Sequence, residues 1–111
     1  MGDRISIQFK NRDSKSIVLF SHWGGKEFLK IARRYTKELI AEVGEEESYP
    51  LDRLEPKTVI VDFIRYLLEQ KEVYLSKGRI ASGIYFGKDE NDGDNSDNGH
   101  FVITLKKGAE K

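Results

Sequence analysis

Apolar residues recur along this chain at two periods, two and about three and a half, and the alternation between them predicts the order of elements. Arg4–Lys10 alternates, with Ile5, Ile7 and Phe9 on one parity and Arg4, Ser6, Gln8 and Lys10 on the other. That is the mark of a half-buried strand, expected here at a sheet edge. Asn11-Arg12-Asp13-Ser14-Lys15 carries turn chemistry, so Ser16–His22 follows as its antiparallel hairpin partner. This second strand is apolar on both parities, Ile17 and Leu19 against Val18 and Phe20. It asks for cover on both faces and a central place. Lys26–Val43 then repeats at helical spacing, with Phe28, Ala32, Tyr35, Leu39 and Val43 in one stripe and Gly44 as a stop.

Glu45–Pro50 reads as a polar connector, and Leu51–Leu54 as a single turn. Pro56 suits the first turn of a second helix, where a missing N–H costs nothing. That helix is expected to run to about Lys71, burying Val59, Ile60, Phe63, Ile64, Leu67 and Leu68. Glu72–Gly78 is a connector in which Val73-Tyr74-Leu75 has strand character. Arg79–Phe86 is expected as a third strand, with Ile80, Ser82, Ile84 and Phe86 on one parity and Gly83 permitting a bulge or close approach. His100–Leu105 is a fourth, with Phe101, Ile103 and Leu105 inward. The order ββααββ predicts an α+β fold: a four-stranded, mainly antiparallel sheet with both helices on one face. Residues 1–111 make a single domain with a frayed tail over 106–111. If the helices cover Ile17 and Leu19, then Val18, Phe20, Tyr85 and Val102 form an apolar patch on the far face. Such a patch is expected to seat a second copy in a homodimer.

Composition narrows the chemistry. The chain has no Cys, which excludes disulfides, thiolate catalysis, iron–sulfur clusters and cysteine zinc sites. Its 19 basic and 19 acidic side chains cancel, which argues against nucleic acid as a general partner. Lys26, Lys30, Arg33 and Lys37 do align on the first helix, but opposite the apolar stripe, where a solvated face is required anyway. No apolar run reaches membrane-spanning length, so no membrane partner and a cytoplasmic setting are expected.

Two stretches carry candidate chemistry. At Ser21-His22-Trp23-Gly24-Gly25 a strand turns into a helix, and free N–H groups there suit an anion, with His22 as a proton carrier and Trp23 as a stacking surface. Ser21 capping a tight turn explains the same residues without a ligand. Neighbours on a strand point to opposite faces, so Ser21 and His22 do not make a nucleophile–base pair. The second stretch, Asp89–Gly99, holds five acidic residues and three Asn with no basic one. Read as a hairpin loop it is unusually long. Asp94, Ser96 and Asn98, with Gly99 behind them, match the first half of a calcium loop, and Asp92 is a further donor. The twelfth position is Leu105 rather than Glu, so a Ca²⁺ site needs another carboxylate. A solvated, mobile loop of Asp-Gly and Asn-Gly turns is the simpler expectation. With two up-down helices between the hairpins, this loop is expected at the opposite end from His22, which disfavours a site shared by His22 and His100.

Phe20-Ser21-His22-Trp23-Gly24-Gly25, with Gly83-Ile84-Tyr85, Asp92-Gly93-Asp94 and Asn98-Gly99-His100, resembles small uncharacterised prokaryotic and phage proteins that carry a Ser-His-Trp-Gly-Gly strand end and an Asp/Asn-rich late loop. The resemblance implies no activity, cofactor or catalytic residue. No complete catalytic constellation is present, so a non-enzymatic binding or regulatory module is the leading expectation. A small metal-assisted hydrolase, or a weak Ca²⁺ binder using residues 89–99, is the alternative.

Overall fold

The computed structural model describes residues 2–43, 54–70, 75–80 and 83–105. The readings placed on Gly44, the 45–53 connector, Val73-Tyr74, Ala81-Ser82 and the 106–111 tail lie outside those residues. Within them the fold is α+β. The elements run β1 (Ile5–Asn11), β2 (Ser14–Lys15), β3 (Val18–Ser21), α1 (Gly25–Val43), α2 (Pro56–Gln70), β4 (Leu75–Ser76), β5 (Arg79–Ile80), β6 (Ile84–Gly87) and β7 (His100–Thr104). β4 and β5 form a small separate hairpin. No helix among the described residues is long and apolar enough to cross a membrane.

The main sheet runs β6-β3-β1-β7. β6 and β3 are each antiparallel to the next strand inward, whereas β7 lies parallel to β1, Ile7 opposite Phe101 and Phe9 opposite Ile103. β1 is therefore central, not an edge. Both its neighbours donate inward side chains, so Ile5, Ile7 and Phe9 are fully buried beneath the helices. Around Phe9 gather Phe63, 5.6 Å away and edge-on, and Tyr35, with Phe28 reaching Phe63 from α1. Each such side chain buried contributes roughly 1.5–3 kcal/mol. The two helices are pinned together by the Tyr35 hydroxyl donating to Asp62 at 2.8 Å and the Tyr66 hydroxyl donating to Glu38 at 3.0 Å. They lean chiefly on β1, β2 and β7.

The hairpin partner of β1 comes in two pieces: β2 lies within the expected turn 11–15, and β3 is the core of the expected strand Ser16–His22. Lys10 pairs with Lys15 and Ile7 with Leu19, so two residues of β1 face three on the other strand. The extra residue makes a β-bulge. Ser16, buried, holds it together: its hydroxyl accepts from Phe9 N at 3.0 Å and donates to Ile17 O at 2.7 Å. Ile17 is thereby turned out and exposed, which corrects its placing on the core face beside Leu19.

The larger correction concerns the last two strands. They do not pair with each other; β6 and β7 lie at opposite edges of the sheet. β6 ends beside Val18, whereas β7 begins beside Ser6. Residues 88–99 must travel back along the sheet and across it, over the face away from the helices. Their backbone presses on Phe20: a Cβ on Gly93 would lie 2.8 Å from Phe20 Cε2 and 2.8 Å from Tyr85 Cε2. Phe20 and Tyr85 stack beneath, 5.0 Å apart. Val18 and Phe20 are consequently fully buried, and the far face is not the open apolar patch expected of Val18, Phe20, Tyr85 and Val102. Only Tyr85 and Val102 of those four keep exposed surface.

The bulge yields a direct prediction. Ser16→Ala strands the buried Phe9 N–H, a loss of about 1–3 kcal/mol. Urea unfolding of the two proteins should show the midpoint falling with an unchanged slope.

Candidate functional site

The segment over the far face, here called the strap, is fixed to the sheet by its own polar residues. Asp89 Oδ1 accepts from Asn91 N, Asp92 Oδ2 from Lys88 N and Asp94 Oδ1 from Ser96 N, at 2.8 to 3.0 Å. These are the local turn bonds that Asp favours. The Tyr85 hydroxyl accepts from Asp94 N at 3.0 Å. Arg4 clamps the C-terminal half, its Nε 3.1 Å from Asp94 Oδ2 and its backbone N 2.9 Å from Asp97 Oδ2. Asn98 Nδ2 donates to Asp3 Oδ1 at 2.7 Å and to Arg4 O at 3.0 Å. The Asp94 carboxyl sits below the ordinary carboxylate range. The Ser96 N–H and side chain hold its anion first, with Arg4 and His22 nearby adding to the effect. These bonds tie the strap to the sheet along its length.

Of the four residues named for a Ca²⁺ site, Asp94 and Ser96 bond each other, Asp92 accepts from Lys88 N, and Asn98 donates to Asp3 and Arg4. No group of three or more His, Asp or Glu placed to hold an ion occurs among the described residues.

The strap returns to the end of the sheet where β3 finishes, so the expectation that it lies opposite His22 is also corrected. There the Ser21–Gly25 junction is closed by main-chain bonds: Asp3 N donates to His22 O, Gly25 N to Asp3 O and His22 N to Gly83 O. Ser21 is buried, and its hydroxyl accepts from Gly24 N at 2.9 Å, as a cap does. Gly24 fits only because it lacks a side chain; a Cβ would fall 2.6 Å from Ser21 Oγ and 2.7 Å from Phe28 Cβ. Gly25 opens α1 at φ 57° with the Asp3 carboxylate against it. The amides of Gly24 and Gly25, expected to face an anion, already have protein acceptors. Trp23 stands edge-on to His22, rings 4.1 Å apart, with about half its surface exposed (53%) and Gly83 close beside its Nε1 edge.

A polar cluster that sequence reading missed lies under the strap. Parallel pairing sets Ser6 beside His100 on the far face. Gln8 Nε2 donates to Ser16 O, which leaves Oε1 to accept from His100 Nε2 at 3.3 Å. His100 Nδ1 is then the acceptor, and the Ser6 hydroxyl donates to it at 2.7 Å while accepting from Asn95 Nδ2 at 2.9 Å. The distance suits a nucleophile and its base. Ser6, however, is fully buried. The cluster ties the strap down. The only signal in the sequence was Ser6 and Gln8 sharing a parity with His100, and that needs the pairing to be known.

The chain matches no protein family, no curated protein and no solved structure.

His100 gives the strap a pH dependence. Burial pushes its value below that of a free histidine; Glu90 opposes the push and Lys15 reinforces it. The fold therefore prefers the neutral ring. Its contribution is complete above about pH 6.5, the unfolded value, and is lost as pH falls through that value towards the folded one. Stability measured from pH 7.5 to 5 should fall in the native chain, and the slope should flatten in His100→Gln.

Proposed function

We propose that this protein is a non-enzymatic binding module whose contact surface is the bare edge of β6, flanked by Trp23. The observation that carries this reading is the state of that strand. β6 pairs with β3 on one side, and no strand among the described residues covers the other. Its side chains are apolar and open on both faces: Phe86 is 50% exposed on the helix side, and Tyr85 is 40% exposed at the rim of the strap. The helices lean towards β1, β2 and β7 and leave Phe86 uncovered.

The exposed apolar surface continues past both ends of the strand. Gly83 brings Trp23 against the start of β6. Ile17, turned out by the bulge, stands next to Val18, which pairs with Gly87 at the other end. Large exposed apolar residues that adjoin one another mark interaction sites. An unpaired edge accepts an extended segment through main-chain hydrogen bonds, with pockets for alternate side chains. β6 also lacks the charged residue or proline that guards most exposed edges.

Selection of a displayed random-peptide library against the whole chain tests this. Extended, apolar peptides should be enriched, and Phe86→Lys and Trp23→Ala should each weaken their binding by about tenfold or more, in keeping with aromatic anchors. No enrichment, or peptides indifferent to both changes, overturns the reading.

A further inference from the structure

We infer that residues 88–93 of the strap are an acid-opened flap, released from the far face when His100 takes up a proton and the Ser6–Asn95 tie fails. This does not depend on the β6 edge as a binding site. From Lys88 to Gly99 the strap contains no apolar side chain, so polar bonds and backbone packing hold it in place. Its two halves are held differently. Arg4 and Asp3 clamp the C-terminal half through Asp94, Asp97 and Asn98. Residues 88–93 bond among themselves, Asp89 with Asn91 and Asp92 with Lys88. Among the described residues, the hydrogen-bonded tie of this half to β1 is Asn95, whose Nδ2 donates to Glu90 O at 3.0 Å and to Ser6 Oγ at 2.9 Å. Gly93 completes the attachment by resting on Phe20 and Tyr85.

The cluster under Asn95 is satisfied only while His100 is neutral. Nε2 then donates to Gln8, and Ser6 donates to Nδ1. A protonated ring carries hydrogens on both nitrogens. Nδ1 points a donor at Ser6 Oγ from 2.7 Å, and the Ser6 hydrogen has to turn away. No other acceptor for it occurs among the described residues. A buried hydroxyl without an acceptor and a cation beneath the strap both cost stability. Water admitted from the far face relieves both, and the flap stands between. Two charges face the ring: Glu90 in the flap, which favours the cation, and Lys15 on β2, which opposes it. β1 presents the neutral Ser6 and Gln8. Burial outweighs Glu90 and holds His100 below the value of a free histidine, so the closed form binds the proton more weakly than the open one. By linkage the open fraction rises as pH falls below about 6.5. Asp94 lies below the ordinary carboxylate range and stays charged there, so the Arg4 clamp persists as a hinge. Lifting residues 88–93 uncovers Phe20, fully buried when the flap is closed, and widens the apolar surface begun by Tyr85.

The test follows Gly93 by nuclear magnetic resonance on the whole chain, from about pH 7.5 to about pH 5. Its protons lie against the Phe20 and Tyr85 rings, so ring currents displace their shifts while the flap is closed. Those shifts should move to unstructured values with the midpoint of the His100 ring protons, while the β1 and β7 amides stay protected from exchange. His100→Gln should hold Gly93 in place across the range. Asn95→Ala should release it already at the neutral end, and His22→Gln should leave the transition as it is. Gly93 unmoved while His100 titrates overturns the inference, as does Gly93 still in place in Asn95→Ala. So does a transition that survives His100→Gln, or one in which β1 and β7 lose protection together with Gly93.

Discussion

Parallel pairing of β7 with β1 is the constraint from which the rest follows. Two strands that run the same way cannot be joined by a tight turn. Because β6 also runs parallel to β1, the chain leaving it has to return the length of the sheet before β7 begins. The helices occupy one face, so the return path lies over the other. That path buries Val18 and Phe20, gives the acidic residues their turn-forming work, and carries the strap back to Asp3, Arg4 and the β3–α1 junction. It also leaves β6 at an edge with no other strand among the described residues beyond it.

Much of this was legible from local pattern. The alternation of Ile5, Ile7 and Phe9 and the stripe Phe28, Ala32, Tyr35, Leu39 and Val43 are read from neighbours in sequence, and they place the core correctly. Partner choice is not local. His100–Leu105 presents the same alternation to a parallel or an antiparallel neighbour, so its periodicity was silent on which strand it joins. The clue was length. Residues 88–99 are too many for an ordinary hairpin and are about what a parallel crossover needs. The bulge hid for a similar reason: an apolar run of both parities reads as a central strand, and only the register shift between Lys10–Lys15 and Ile7–Leu19 exposes the extra residue.

The candidate site was half visible. Ser21 as a cap and a close approach at Gly83 were readable from local chemistry, whereas the contact of Gly24 with Phe28 was not. The Ser6–His100–Asn95 cluster was invisible because its members are far apart in sequence and meet only through the pairing. Its Ser6 hydroxyl is buried, and through Asn95 the cluster holds the strap to the sheet. The sheet's open apolar surface is instead at the opposite edge, on Tyr85 and Phe86 of β6.

The most direct measurement is a set of nuclear Overhauser contacts on the intact chain. This account predicts contacts between β1 and β7 in parallel register, Ile7 to Phe101 and Phe9 to Ile103, together with Gly93 against the rings of Phe20 and Tyr85. Direct cross-strand contacts between β6 and β7, with Gly93 remote from Phe20, would contradict it.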